Sequence, residues 1–269
     1  MTSRVLGYTR QQYYKQRDEH EVRRQVDERI RMMVCQKRKL LPKVGGRKLH
    51  WLLQTELRQE GIKCGRDKLF SVLREHGLLV KARKRYVQTT MSRHWMRKYP
   101  NLVRENKAMG PEQVWVSDLT YLKTAEGYCY LSLITDAFSR KIMGYNVSDS
   151  LDAVESCRAL QMALSNRTTD NPLIHHSDRG YQYCSREYVD LAQAHSVRMS
   201  MTEHSDPYEN ALAERMNRTL KEEFCLDTIL PSRQLAVTAV KQAVELYNTY
   251  RPHLALNNLT PQTVHEKSR

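Results

Sequence analysis

Long hydrophobic runs are missing from this chain. Its 269 residues nowhere offer the roughly 20 consecutive apolar side chains that a bilayer-spanning helix needs. The N-terminus carries no apolar core of the secretory kind, and the mean hydropathy is −0.69. The expectation is a soluble, cytoplasmic protein with no membrane partner. Paired cysteines are missing too: Cys35, Cys64, Cys129, Cys157, Cys184 and Cys225 are scattered, with no CxxC among them. Thiols spaced in this way read as reduced, mostly buried small side chains, which sets aside a disulfide scaffold.

Negative charge is scarce only in the front part. Residues 1–110 hold 28 Lys+Arg against 10 Asp+Glu, net +18, whereas residues 111–269 hold 16 against 20, net −4. Such a division suits a module that grips a polyanion ahead of a domain whose acids serve another purpose. A lysine-rich solvated helical surface is the alternative for the front part taken alone. The length allows two cores. We expect a helical region over 1–79, a basic linker over 80–110 and a second domain over 111–269.

Within the front region Val22, Val26, Ile30 and Met33 form an amphipathic stripe that Pro42 and Gly45-Gly46 bring to an end. Helices are expected over 47–59 (Leu49, Leu53, Leu57) and 66–76 (Leu69, Val72, Leu73), separated by Gly61. Helix, short turn, helix is the outline of a helix-turn-helix, in which the start of the second helix reaches base edges. Arg66 and Lys68 would stand there, with Arg47 and Lys48 on the preceding helix. A second candidate for such a motif lies at the extreme N-terminus, where Thr9 can cap a helix starting at Arg10. The linker, KARKRYVQTTMSRHWMRKYP, has seven Lys/Arg including Arg83, Lys84 and Arg85. It suits backbone tracking along nucleic acid or a solvated connector.

After Pro111 the pattern becomes strand and helix in alternation: VWVSDLTYL, a strand pair turning near 137–140, a helix at 152–165, PLIHH, a helix at 186–195, VRMSM, and helices over 209–225 and from the Pro231-Ser232 cap. This is an α/β domain with a mixed sheet. Three acids stand out in it: Asp118 mid-strand, Asp178 at a strand end, and Glu214 on a helix 35 residues further on. Acids converging from separate elements suit hard divalent cations, and two such ions can clamp both oxygens of a phosphoryl displacement. At about 100° per residue Glu214, Arg218 and Lys221 share one helix face, a carboxylate for metal beside two cations, Arg218 and Lys221, that can hold a DNA phosphate. Asp136 belongs to a turn that it is expected to fix together with Arg140, while Glu209, Glu222 and Glu223 miss the catalytic spacing. His176, two residues before Asp178, suits a supporting role better than ligation.

The segments VWVSDLTYL, ITDAFSRKIMGY, HSDRGYQY, ENALAERMNRTLKEE and YNTYRPHLALNNLTP resemble, in order and spacing, the integrase-core transposases of bacterial insertion sequences. These are the second-frame (OrfB) proteins of the IS-three group, relatives of retroviral integrases. The resemblance implies a ribonuclease-H-like core with an Asp-Asp-(35)-Glu site, in which Asp118, Asp178 and Glu214 are catalytic and hold two ions of Mg²⁺ or Mn²⁺. It also implies strand cleavage at element ends, strand transfer into target DNA and a DNA-contacting Lys221. Asn210 takes an orienting or DNA-contacting role, and the protein works nucleoid-associated, as at least a dimer on paired ends. The paired-His, paired-Cys zinc module of retroviral integrases is absent, and VGGRKL stands where many relatives have YGYRR. The chain lacks the long heptads of the first-frame (OrfA) protein, which would then act as a partner. Two other readings remain: a non-catalytic DNA-binding regulator, and a nuclease acting on RNA–DNA hybrids.

Overall fold

The computed structural model describes residues 10–80, 95–104, 106–203 and 210–267. The chain forms two compact units, Met1–Arg83 and Lys84–Arg269. In the first, α1 (Arg10–Leu40), α2 (Gly46–Gln59) and α3 (Arg66–Glu75) meet through their apolar stripes. Ile30, Met33 and Val34 of α1 close over Leu49, Leu53 and Leu57 of α2 and Leu69, Val72 and Leu73 of α3, all of them buried. The stripe on α1 is shorter than the spacing predicted, for Val22 is 61% exposed. The helix expected to start at Arg10 does so and runs unbroken to Leu40, while Thr9, its expected cap, lies outside the described residues. Among the described residues α2 and α3 keep the helix-turn-helix outline. Gly61, at φ +68, turns the chain after α2, with Ile62 N–H donating to the Leu57 carbonyl at 2.8 Å. That left-handed conformation favours glycine, and the bond satisfies a carbonyl at the helix end.

The second unit is built on a five-stranded sheet in the order β3-β2-β1-β4-β5. The strands are β1 (Val114–Thr124), β2 (Gly127–Asp136), β3 (Ile142–Ser148), β4 (Leu173–Ser177) and β5 (Val197–Met201). The first three form an antiparallel meander, and β4 and β5 continue it in parallel with β1. The crossovers run through α4 (Ala153–Ser165), the short α5 (Tyr181–Cys184) and α6 (Arg186–Ala194). Trp115, Ile134, Met143, Leu160, Tyr188 and Met199 belong to the core these helices cover. Helix α4 comes very close to β3: a Cβ built on Gly144 would lie 2.2 Å from the Ala159 carbonyl oxygen. Small Ala159 and Ala163 on the helix and glycine on the strand make that approach possible.

Helices α7 (Ala211–Glu223) and α8 (Arg233–Thr249) add further buried residues, including Met216, Leu220, Val240 and Tyr247. Ser232 caps α8 by accepting from Leu235 N–H, as the Pro-Ser pair predicts. Helix α9 (Pro261–Lys267) escapes the sequence pattern because its anchor is polar: His265 is fully buried, bonded to Ser139 and Glu112. Asp136 does fix its turn, accepting from the N–H and hydroxyl of Ser139, both at 2.7 Å, and from Glu112 N–H. Part of the stretch read as a linker lies on this unit. Met96 and Tyr99 pack on the core, and Leu102 N–H donates to Ser200 Oγ. Among the described residues no helix is long and apolar enough to cross a membrane.

Candidate active site

Parallel pairing of β1 with β4 is what brings the first two acids together. Val116 stands opposite His176 in that register. Two residues further along each chain come Asp118 and Asp178, at the same end of neighbouring strands that lie about 4.8 Å apart. Asp178 follows the end of β4, and one of its oxygens accepts from Gly180 N–H at 3.0 Å. A Cβ on Gly180 would stand 3.0 Å from that same oxygen, so the small residue leaves room for the carboxylate.

Asp118 is half-buried and well held. Its Oδ1 accepts from Leu119 N–H at 2.9 Å and its Oδ2 from Asn217 Nδ2 at 2.9 Å. Burial and then the nearby charge of Asp178, with a smaller contribution from Glu214, nevertheless push its pKa up to about 7. Three acids far apart in sequence therefore lie within electrostatic reach of one another. Glu214 is the open member: it sits exposed in the first turn of α7. Among the described residues no group of three His, Cys, Asp or Glu encloses a metal-sized space. An open set is compatible with Mg²⁺, which binds through one or two carboxylates, retains water and completes its shell with substrate phosphates. The donors are hard oxygens, and the mutual repulsion at Asp118 is what a cation relieves. The residues fit.

Helix α7 is fastened by the residue just before it, its N-cap. Asn210 is buried and its Nδ2 donates to the Ser117 carbonyl at 3.0 Å, next to Asp118. Asn217 was not singled out from sequence. The available signal was its spacing, three residues after Glu214 and four before Lys221, which puts all three on one helix face. Lys221 stands half-buried with its ammonium 4.3 Å from the Tyr121 ring centroid. Burial lowers its pKa to about 8, against the attraction of Asp118 and Asp227. Arg218 on the same helix is exposed.

Behind the acids the support is neutral. His175 is fully buried, its Nε2 within 2.6 Å of Ser117 Oγ and 2.8 Å of Tyr188 Oη, and burial lowers its pKa to about 3. His176 is also buried and its Nδ1 meets Ser200 Oγ at 2.9 Å, tying β4 to β5. It supports the strand that carries Asp178.

Arg47, Lys48, Arg66 and Lys68 belong to the first unit. Arg47 is exposed and Arg66 is paired at 3.3 Å with its neighbour Asp67. Lys68 Nζ pairs with Asp27 of α1 at 2.5 Å. Arg83, Lys84 and Arg85 lie outside the described residues.

A mixed sheet with acids at the ends of adjacent parallel strands and a third on a helix defines a ribonuclease-H-like core of the polynucleotidyl-transferase kind. Comparison with known proteins agrees. Integrase core domain models match residues 108–207 and 195–261. The insertion element IS600 uncharacterized 31 kDa protein of Shigella sonnei is 34% identical over 98% of this chain and 97% of its own. Transposase InsF for insertion sequence IS3A of Escherichia coli (strain K12) is 34% identical over 80% of this chain and 76% of its own. In the cryo-EM structure of the simian T-cell lymphotropic virus intasome in complex with PP2A regulatory subunit B56 gamma, one chain is similar in fold. Its TM-score is 0.51 at 19% identity, covering 82% of this chain and 74% of that one. The chain belongs to the integrase-core transposases of the IS3 kind. It is a DDE-type polynucleotidyl transferase of DNA integration, and divalent-metal dependence comes with that family.

Proposed function

We propose that Asp118, Asp178 and Glu214 form the reacting centre, that the metal is Mg²⁺ or Mn²⁺, and that two ions serve each site. The observation supporting this reading is the parallel pairing that sets Asp118 beside Asp178, with both Asp178 and Glu214 close enough to add to burial in raising the Asp118 pKa. Such repulsion between carboxylates is what binding of divalent cations offsets. When bound, the ions would polarise phosphate oxygens and make water or a 3′-OH a better nucleophile.

The chain's own residues do the rest. Leu119 N–H and Asn217 hold both oxygens of Asp118, and Gly180 N–H holds one oxygen of Asp178. Asn210 anchors the head of α7, the helix that presents Glu214. Lys221 brings positive charge beside Asp118 for a backbone phosphate. In the first reaction water adds to phosphorus at the element's end and the 3′ oxygen leaves as a free hydroxyl. In the second that hydroxyl attacks a target phosphate and displaces another 3′ oxygen. Neither step needs a covalent enzyme intermediate or ATP.

In this reading the first unit and the basic stretch after it bind the terminal inverted repeats, with Arg47, Lys48, Arg66, Lys68, Arg83, Lys84 and Arg85 as DNA contacts. Two ends are cut by at least a dimer acting at the nucleoid, and a first-frame protein is a partner. The test is nicking of a labelled element-end duplex by the full chain in Mg²⁺. Asp118→Asn, Asp178→Asn and Glu214→Gln should each abolish nicking while leaving gel-shift binding of the duplex intact. Full cleavage by any one of them would remove that residue from the centre. An RNA–DNA hybrid cut faster than DNA duplex would favour the hybrid-nuclease reading instead.

A further inference from the structure

We propose that Tyr121 is a positioning residue whose ring face holds the Lys221 ammonium beside the acids, ready for a DNA backbone phosphate. The proposal deepens the reading of Asp118, Asp178 and Glu214 as the reacting centre and rests on it. Lys221 feels the attraction of both Asp118 and Asp227. Yet among the described residues it forms an ion pair with neither, and the group its ammonium approaches is the Tyr121 ring, at 4.3 Å. A flexible four-carbon stem beside a half-buried carboxylate would ordinarily collapse onto it. Such a pair would neutralise Asp118 and compete with a metal for its oxygens.

The aromatic face offers the cation a different resting place. It attracts the ammonium through the negative face of its quadrupole and supplies no oxygen that would tie it up. The ring is itself held. Tyr121 meets Tyr128 edge to face, with centroids 5.5 Å apart and planes at 83°. The two sit on paired strands, where Tyr128 stands opposite Lys123, two residues from Tyr121. Tyr121 and Asp118 both lie on β1, three residues apart. A backbone phosphate entering the site would then find the lysine extended and uncommitted, while Asp118 keeps its oxygens for metal.

The experiment uses the full chain and an element-end duplex in Mg²⁺, with single-turnover nicking followed at several DNA concentrations. Tyr121→Phe keeps the face and should retain most of the rate. Tyr121→Leu keeps bulk but removes the face, and should lose about 2- to 30-fold in rate over half-saturating DNA concentration. Lys221→Ala should lose at least as much. The double variant Tyr121→Leu/Lys221→Ala should be no worse than Lys221→Ala alone, since the tyrosine acts through the lysine. Additive losses, a Phe variant as poor as the Leu variant, or a Leu variant as fast as the parent would each overturn the proposal.

Should Tyr121→Leu fail to fold, NMR of the unsubstituted protein decides. The Cε protons of Lys221, identified by their loss in Lys221→Ala, should resonate upfield of other lysines through the ring current, and a normal position refutes the perch. Absence of nicking by the parent protein would sink the catalytic reading while leaving the NMR result to stand or fall separately.

Discussion

Removing the charge of Asp118 should stabilise the metal-free protein while destroying its activity. The carboxyl titrates near 7 in the folded chain against an ordinary 3.8. About three pKa units at ~1.36 kcal/mol each set an upper bound of about 4 kcal/mol. The group is only half-buried, so solvent screening reduces that to about 2 kcal/mol. The sign follows from proton binding: between pH 3.8 and about 7 the folded chain holds a proton that the unfolded chain has lost. Stability of the parent protein therefore falls as pH rises through that window and levels off above about 7.

Asp118→Asn has no such titration, so its advantage should be nil near pH 4 and complete by pH 8. The new amide can be accommodated. Asn217 Oδ1 is buried without a partner and can turn to accept from it, while Leu119 N–H still finds an oxygen. In EDTA at pH 8, about 2 kcal/mol corresponds to a Tm higher by roughly 4–8 °C for a unit of this size. Adding Mg²⁺ should raise the Tm of the parent protein and have much less effect on the variant. Thermal melts at pH 5 and pH 8, with and without Mg²⁺, make the comparison. A variant no more stable than the parent at pH 8 in EDTA would refute the picture of a carboxylate strained by its neighbours.

Two further substitutions probe the supports of the site. Gly180→Ala puts a methyl group 3.0 Å from Asp178 Oδ1 in backbone that tolerates alanine. It should displace that carboxylate by a few tenths of an ångström and cost up to about tenfold in nicking rate, with little change in Tm; an unchanged rate counts against tight placement of Asp178. Glu223→Ala should destabilise the second unit by about 3–5 kcal/mol in urea titrations. It strands Arg251, which is 4% exposed and bonded twice to Glu223, each at 2.8 Å. A loss below about 1 kcal/mol would mean the pair is not truly desolvated.

Legibility in the sequence tracked how local the governing physics is. The boundaries of α2, α3, α4 and α6 fell within about a residue of the expected ones, because apolar stripes, Gly61 and Ser-type caps act over a few residues. The strands were equally readable from their apolar runs. Helix α9 and the exposure of Val22 on α1 were not. The first is held by a buried histidine network, and Val22 lies beyond the reach of α2 and α3. Neither fact is written in periodicity. Lys68 shows the same limit: its charge was visible, and its commitment to Asp27, 41 positions earlier in the chain, was not.

Residue order alone determined the strand-and-helix succession, the charged front, the three acids and their 35-residue interval, since each is a matter of local pattern or spacing along one dimension. Tertiary structure alone decided that parallel pairing sets Asp118 beside Asp178, that Asn210 and Asn217 join α7 to β1, and that Lys221 rests on Tyr121. The reason is geometric. Hydrogen bonds, ring contacts and the pKa of a carboxylate depend on separations of a few ångströms between groups about a hundred residues apart, and those separations exist only once the sheet has paired and the helix has packed.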